Sequence, residues 1–218
     1  METFDSRTVK RCLGSLALGV WLAGCAHTVV VEVPPQIDLG PYGTIGIVEF
    51  SSNSSESLNR IATRKFLESI QHAQPKVRFL ELGPEGRLLE SLGRDSLDPE
   101  AIRAIQGRYG VSSVFTGGFE ISGVRPDVSI GADLSSLNAS AVVNISMASM
   151  HRETGSGATV WSNSRRGQWK VAGIRSRGGD LSFRWNTAED PYGRFLEELA
   201  VAITDPFRAH AVRRKVPK

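Results

Sequence analysis

Along this 218-residue chain the apolar positions switch between unbroken runs, helical stripes and strict alternation. Leu13 to Ala23 is a short apolar run behind a cationic patch of Arg7, Lys10 and Arg11. Thr28 to Val33 is β-branched and ends at Pro34-Pro35, which predicts a short strand or an extended arm. Thr44 to Phe50 is almost continuously apolar, the pattern of a strand covered on both faces. A polar loop follows, in which Asn53 and Glu56 fit a capping arrangement. Leu58, Ile61, Ala62, Phe66, Ile70 and Ala73 then recur at helical spacing until Pro75 stops them. Val77 to Leu82 predicts a second strand, and Leu88, Leu89 and Leu92 a short helix. Asp98-Pro99-Glu100 carries a capping carboxylate, a first-turn proline and an acid at the positive helix end. Its helix turns Ala101, Ile102, Ile105 and Tyr109 inward and closes at Gly110.

Val111 to Gly123 predicts a third strand, with Val114, Phe115, Phe119 and Ile121 available to the core. Residues 124–138 read as a polar connection broken by Pro126. Beyond it Ala141 to Met150 alternates through Val143, Ile145 and Met147, and Thr154 to Gly157 supplies the turn of a hairpin whose return begins at Thr159. A second hairpin runs from Arg165 to Trp185 around Arg177-Gly-Gly-Asp180. Asp190-Pro191 opens a last helix with the stripe Tyr192, Phe195, Leu196, Leu199, Ile203 and Phe207. The order predicts an α/β fold, two-layer or sandwich, with a mixed β-sheet, packed helices and a C-terminal antiparallel meander.

The first run changes meaning when its flanks are included. A basic start, a short apolar middle and small residues at the exit make a secretory leader, and the run is too short for a bilayer span of about 20 residues. Leu22-Ala23-Gly24-Cys25 resembles the lipobox of bacterial lipoproteins. That resemblance implies cleavage before Cys25 and acylation of its sulfur by chains such as palmitate. The expected organisation is a leader at 1–24, a lipidated arm at 25–39, the α/β domain at 40–207 and a basic tail at 208–218.

Charge and chemistry narrow the picture further. The formal charge is +3, and the leader carries three cations against Glu2 and Asp5, leaving +2 for the remainder. Without a dense basic stripe interleaved with aromatics, nucleic acid is not an expected partner. Arg213, Arg214 and Lys215 sit in a tail read as solvated and frayed. With Cys12 in the leader and Cys25 acylated, the domain has no thiol for a disulfide, a nucleophile or a metal. His27, His72, His151 and His210 are scattered and form no metal-spaced pair, and His151 with Glu153 reads as a solvent-side pair. No catalytic residue, metal ligand or cofactor site is expected, the covalent lipid apart.

Three further features occur in a recognisable order. They are Ile45-Gly-Ile-Val-Glu-Phe50 before a long helix, Pro99 to Gly110 leading into Val111-Ser-Ser-Val-Phe-Thr-Gly117, and Thr154-Gly155 followed by Val160-Trp161-Ser162. This order resembles the CsgG/TolB-N-terminal-like group of envelope proteins over residues 40–207. The group includes the curli-secretion channel and lipoproteins that activate penicillin-binding proteins. The resemblance implies a periplasm-facing lipoprotein that binds other proteins, and Ala26 after the cysteine implies the outer membrane by analogy with known sorting.

The expected role is therefore a non-catalytic protein-interaction module in envelope assembly or secretion, held to the membrane by lipid. Its partners are envelope proteins, with a homo-oligomer also open. The candidate contact surface is Trp169, Val171, Leu181, Phe183 and Trp185, which alternate at period two with Gln168, Lys170, Ser182 and Arg184 between them. Burial of this hairpin on the core is the other reading. A curli-type channel subunit is an alternative, although Val128, Ile130 and Leu134 alone alternate in the first connection. An envelope hydrolase is the third.

Overall fold

The computed structural model describes residues 27–123, 125–130, 136–177, 180–185 and 191–216. The strands are β1 (His27–Val33), β2 (Thr44–Glu49), β3 (Ser51–Ser52), β4 (Arg78–Pro84), β5 (Ser113–Ile121), β6 (Arg125–Ile130), β7 (Ser136–Glu153), β8 (Thr159–Arg177), β9 (Asp180–Trp185) and β10 (His210–Val216). The helices are α1 (Glu56–Ala73), α2 (Glu85–Leu92), α3 (Pro99–Tyr109) and α4 (Pro191–Ile203). Two units result. One spans Pro35–Ala209; the other holds the antiparallel pair β1–β10.

In the larger unit the strand order is β4-β2-β5-β7-β8-β9, with β3 beside β5 and β6 beside β7. β2 runs parallel to β4 and β5, while β7, β8 and β9 are antiparallel, so the fold is α/β with a mixed sheet and a meander. As the unbroken apolar run requires, β2 is covered on both faces. Ile45 and Ile47 join a core with Phe66 and Ile70 of α1 and Leu196 and Ile203 of α4. Val48 joins a second core with Leu88 of α2 and Ile102 and Ile105 of α3.

Phe115 is the hub of the larger core. Its ring meets Phe66 at 5.4 Å, Phe207 at 5.8 Å and Trp161 at 6.1 Å. The sequence motifs are packing devices around this hub. A side chain on Gly117 would lie 2.8 Å from the Phe50 ring and 2.7 Å from the carbonyl oxygen of Ala148, so only glycine lets that ring close on the sheet. Thr154 holds the turn after β7 to the start of β5, its hydroxyl donating to the Val111 carbonyl at 2.7 Å. Gly157 adopts φ 76° there, against Pro99. Asp98 caps α3 by accepting from the Ala101 N–H at 2.7 Å, and Gly110 ends it at φ 67°.

Several expectations need correction. α1 is capped at Ser55 without a side-chain bond. Asn53 instead reaches across to Ile121, accepting from its N–H and donating to its carbonyl, each at 3.0 Å. The connection at 124–138 contains a strand, β6, because an edge strand tolerates Pro126 where a central one would lose a ladder bond. β8 is one continuous strand where two were expected. The tail read as frayed pairs from His210 to Val216 along the whole of β1, which gives its backbone partners that a free tail lacks. His151, expected at the surface, is fully buried.

Candidate functional site

Cys25 and the lipobox residues Leu22, Ala23 and Gly24 lie outside the described residues, as does Asp190. The candidate contact surface lies on the part of the sheet that extends past the end of β5. There β6, the first half of β7, the second half of β8 and β9 form a four-stranded antiparallel ribbon.

Register sorts the ribbon into rows. Pro126–Ala141–Ala172–Trp185, Val128–Ala139–Ile174–Phe183 and Ile130–Leu137–Ser176–Leu181 occupy one set of positions. Asp127–Ser140–Gly173–Arg184 and Ser129–Asn138–Arg175–Ser182 alternate with them. In antiparallel pairs, residues directly opposite share a face. One face therefore carries mostly apolar residue types and the other polar ones. The apolar rows continue the positions of Val143, Ile145 and Met147, which lie in the larger core.

A bulge decides how the five candidate residues fall. Ala141 pairs with Ala172 but Val142 pairs with Lys170, so Val171 is the extra residue of β8 and has no opposite number. Alternation therefore changes phase at Val171. Trp169 lies on the same face as Leu181, Phe183 and Trp185, joined on β8 by Ala172 and Ile174, and the period-two reading passed over these two. The signal for a bulge was weak, since no glycine or proline marks it. Trp169 itself rests on α4, its ring 4.7 Å from Phe195 and its Nε1 donating to Glu198 Oε2 at 3.4 Å.

Two side-chain groupings lie elsewhere in the larger unit. The polar side of the sheet holds a cleft of about 550 Å³ lined by Asn53, Glu120, Ser146, Ser164 and Arg166. His151 stacks on Phe115 at 4.3 Å and meets the Tyr42 ring edge-on at 4.8 Å. Among the described residues neither ring nitrogen has a hydrogen-bond partner, and burial pushes its pKa down to about 4. It is a neutral member of the core at ordinary pH. Among the described residues no three potential ligands gather as a metal site, and no helix is long and apolar enough to cross a membrane.

Fold and ribbon together define an α/β domain carrying an amphipathic antiparallel extension. No family model and no curated protein matches the chain. Among solved structures it is similar to a PelC dodecamer from Paraburkholderia phytofirmans, at 13% identity and TM-score 0.43 over 84% of this chain and 100% of that one. It is also similar to lipoprotein GNA1162 from Neisseria meningitidis, at 15% identity and TM-score 0.34 over 74% and 95%. The LpoB C-terminal domain from Salmonella enterica is similar at 14% identity and TM-score 0.33 over 63% and 86%. Likenesses this distant decide neither role nor partner.

Proposed function

We propose that this chain is a lipid-anchored, periplasm-facing protein of the bacterial outer membrane that works by touching other envelope proteins, without catalysis. Its anchor is the acylated Cys25, and its body is of the CsgG/TolB-N-terminal-like type suggested by its motifs. The observation that carries the reading is the ribbon, where three rows of mainly apolar residues continue beyond the residues that α4 packs against. An apolar sheet face of this kind, with the polar rows on its reverse, suits a protein partner. The burial of His151 supports the non-catalytic part, since it withdraws that imidazole from any substrate. Membrane confinement then raises the effective concentration of a module whose own contacts are weak.

Two variants and one crosslinking experiment test this. Cys25→Ala should leave the membrane fraction; continued fractionation with membranes would remove the anchor from the account. Phe183→Ser with Trp185→Ser should abolish crosslinks to partners in the native envelope while the body keeps its unfolding transition. A protein that crosslinks to nothing in its own envelope would end the interaction reading.

A second reading, an oligomeric channel subunit, is favoured by one observation: both connections are hairpins, lying side by side on alternating rows. From Pro126 to Ile130 the apolar rows rise about 13 Å, whereas a membrane barrel carries an apolar belt of about 25 Å. Contact is therefore the better reading, and a detergent-dependent ring in the same crosslinking experiment would reverse that order.

A further inference from the structure

We infer that the β1–β10 pair is a second membrane contact, docking on anionic lipid headgroups beside the anchor; this rests on the acylation of Cys25. Thr28 pairs with Lys215, Val29 with Arg214 and Val30 with Arg213. The three cations of the C-terminal segment are thereby brought opposite residues that follow Cys25 by only three to five positions. Even fully extended, five residues reach at most about 18 Å, so the cations are tethered close to the acylated residue.

Composition and exposure supply the second half. Val29, Val31 and Val212 share one face of the pair by register and are 41%, 38% and 42% exposed. Val30, on the other face beside Arg213, is 61% exposed. A two-stranded pair is only marginally stable in water, and this one leaves Val29, Val30, Val31 and Val212 there. Against it stand the conditions at a membrane surface. Anionic headgroups attract Lys and Arg within a Debye length, and the headgroup–acyl boundary accepts small apolar side chains. Glu32 is the one acid among residues 27–33 and 210–216, against Arg213, Arg214 and Lys215. The charge therefore matches an anionic bilayer, and one acyl-anchored end plus a polybasic patch is a two-signal attachment.

The test uses the full chain processed in its own host and extracted from its membranes. The mass of its N-terminal peptide is determined first, so that acylation is read separately. A Val30→Trp variant is then placed on vesicles of phosphatidylcholine alone, or of phosphatidylcholine with phosphatidylglycerol, each containing brominated lipid as quencher. Its fluorescence is compared with that of the protein lacking this change. The expected result is added quenching on the anionic vesicles, lost at high salt. Replacing Arg213, Arg214 and Lys215 with Ala should lower the docked-to-free ratio by about a hundredfold. Replacing the two arginines with Lys should restore most of it. Equal quenching on both vesicle types, or quenching that survives the alanine substitutions, overturns the inference. So does salt-insensitive self-association of the protein without vesicles. If the peptide mass shows a free cysteine, the anchoring reading falls, and co-sedimentation of that material with the same vesicles still measures the contact.

Discussion

The long strands β7 and β8 pass through two environments, and the contrast between them separates what holds this protein together from what it presents. In the body, Val143, Ile145 and Met147 of β7 share a core with residues of α1 and α4, and its rings converge on Phe115. In the ribbon the same face continues with Ala139 and Ala141 of β7 and, past the bulge, Ala172 and Ile174 of β8, and β6 and β9 pair with β7 and β8. On β7 the alternation is thus the same in both regions, while β8 changes phase between them at Val171. In the body it is packing with residues of the helices that makes Val143, Ile145 and Met147 core.

The comparison is broken most severely at the hub. Phe115→Ala should cost about 3–5 kcal/mol in urea unfolding, because the surrounding rings cannot collapse into the space. Its equal in the ribbon should cost far less. Acid acts next. His151 has a folded pKa near 4 and an unfolded one near 6.5, so the unfolded chain binds the extra proton in that interval. Stability should be full above pH 6.5 and fall as pH drops towards 4, by about 3 kcal/mol for this one group. His151→Phe should flatten that slope between the two values; an unchanged slope would assign acid sensitivity elsewhere. Gly117→Ala should cost about 1–3 kcal/mol by pushing the Phe50 ring off the sheet, read as a lowered melting temperature. Smallest in stability is the pair Phe183→Ser and Trp185→Ser. A large loss of stability there would make the ribbon part of the core after all.

What could be read from the chain beforehand follows the same division. Both-sided burial of β2, the cap at Asp98, the stop at Gly110 and the stripe of α1 are local signals, and each is realised; the stripe of α4 holds to Ile203, while Phe207, expected on it, follows in a 3-10 turn at Asp205–Phe207. The failures are non-local. Asn53 prefers the Ile121 backbone to its own helix, a choice set by a residue 68 positions away. His151 enters the core because β5 places Phe115 opposite it. The tail becomes a strand because β1 offers it an edge, although its composition is that of a solvated end. The Val171 bulge is visible only once two strands are aligned. Of the candidate site, the alternation of β9, of Val128 and Ile130 on β6 and the place of Trp169 were legible, Ala172 and Ile174 on β8 were not, and the lipobox remains a statement about sequence.

Gln74 ties three distant backbones with one amide. It accepts from the Leu39 N–H at 2.9 Å and donates to the carbonyls of Ile37 at 2.6 Å and Phe207 at 3.0 Å. Ile37 also donates its own N–H to the Pro206 carbonyl at 3.2 Å. The body is in effect a closed circle of chain, fastened where it begins and ends. It should tolerate circular permutation, with residues near 35 and 209 joined and new termini opened at the exposed turn around Ser156.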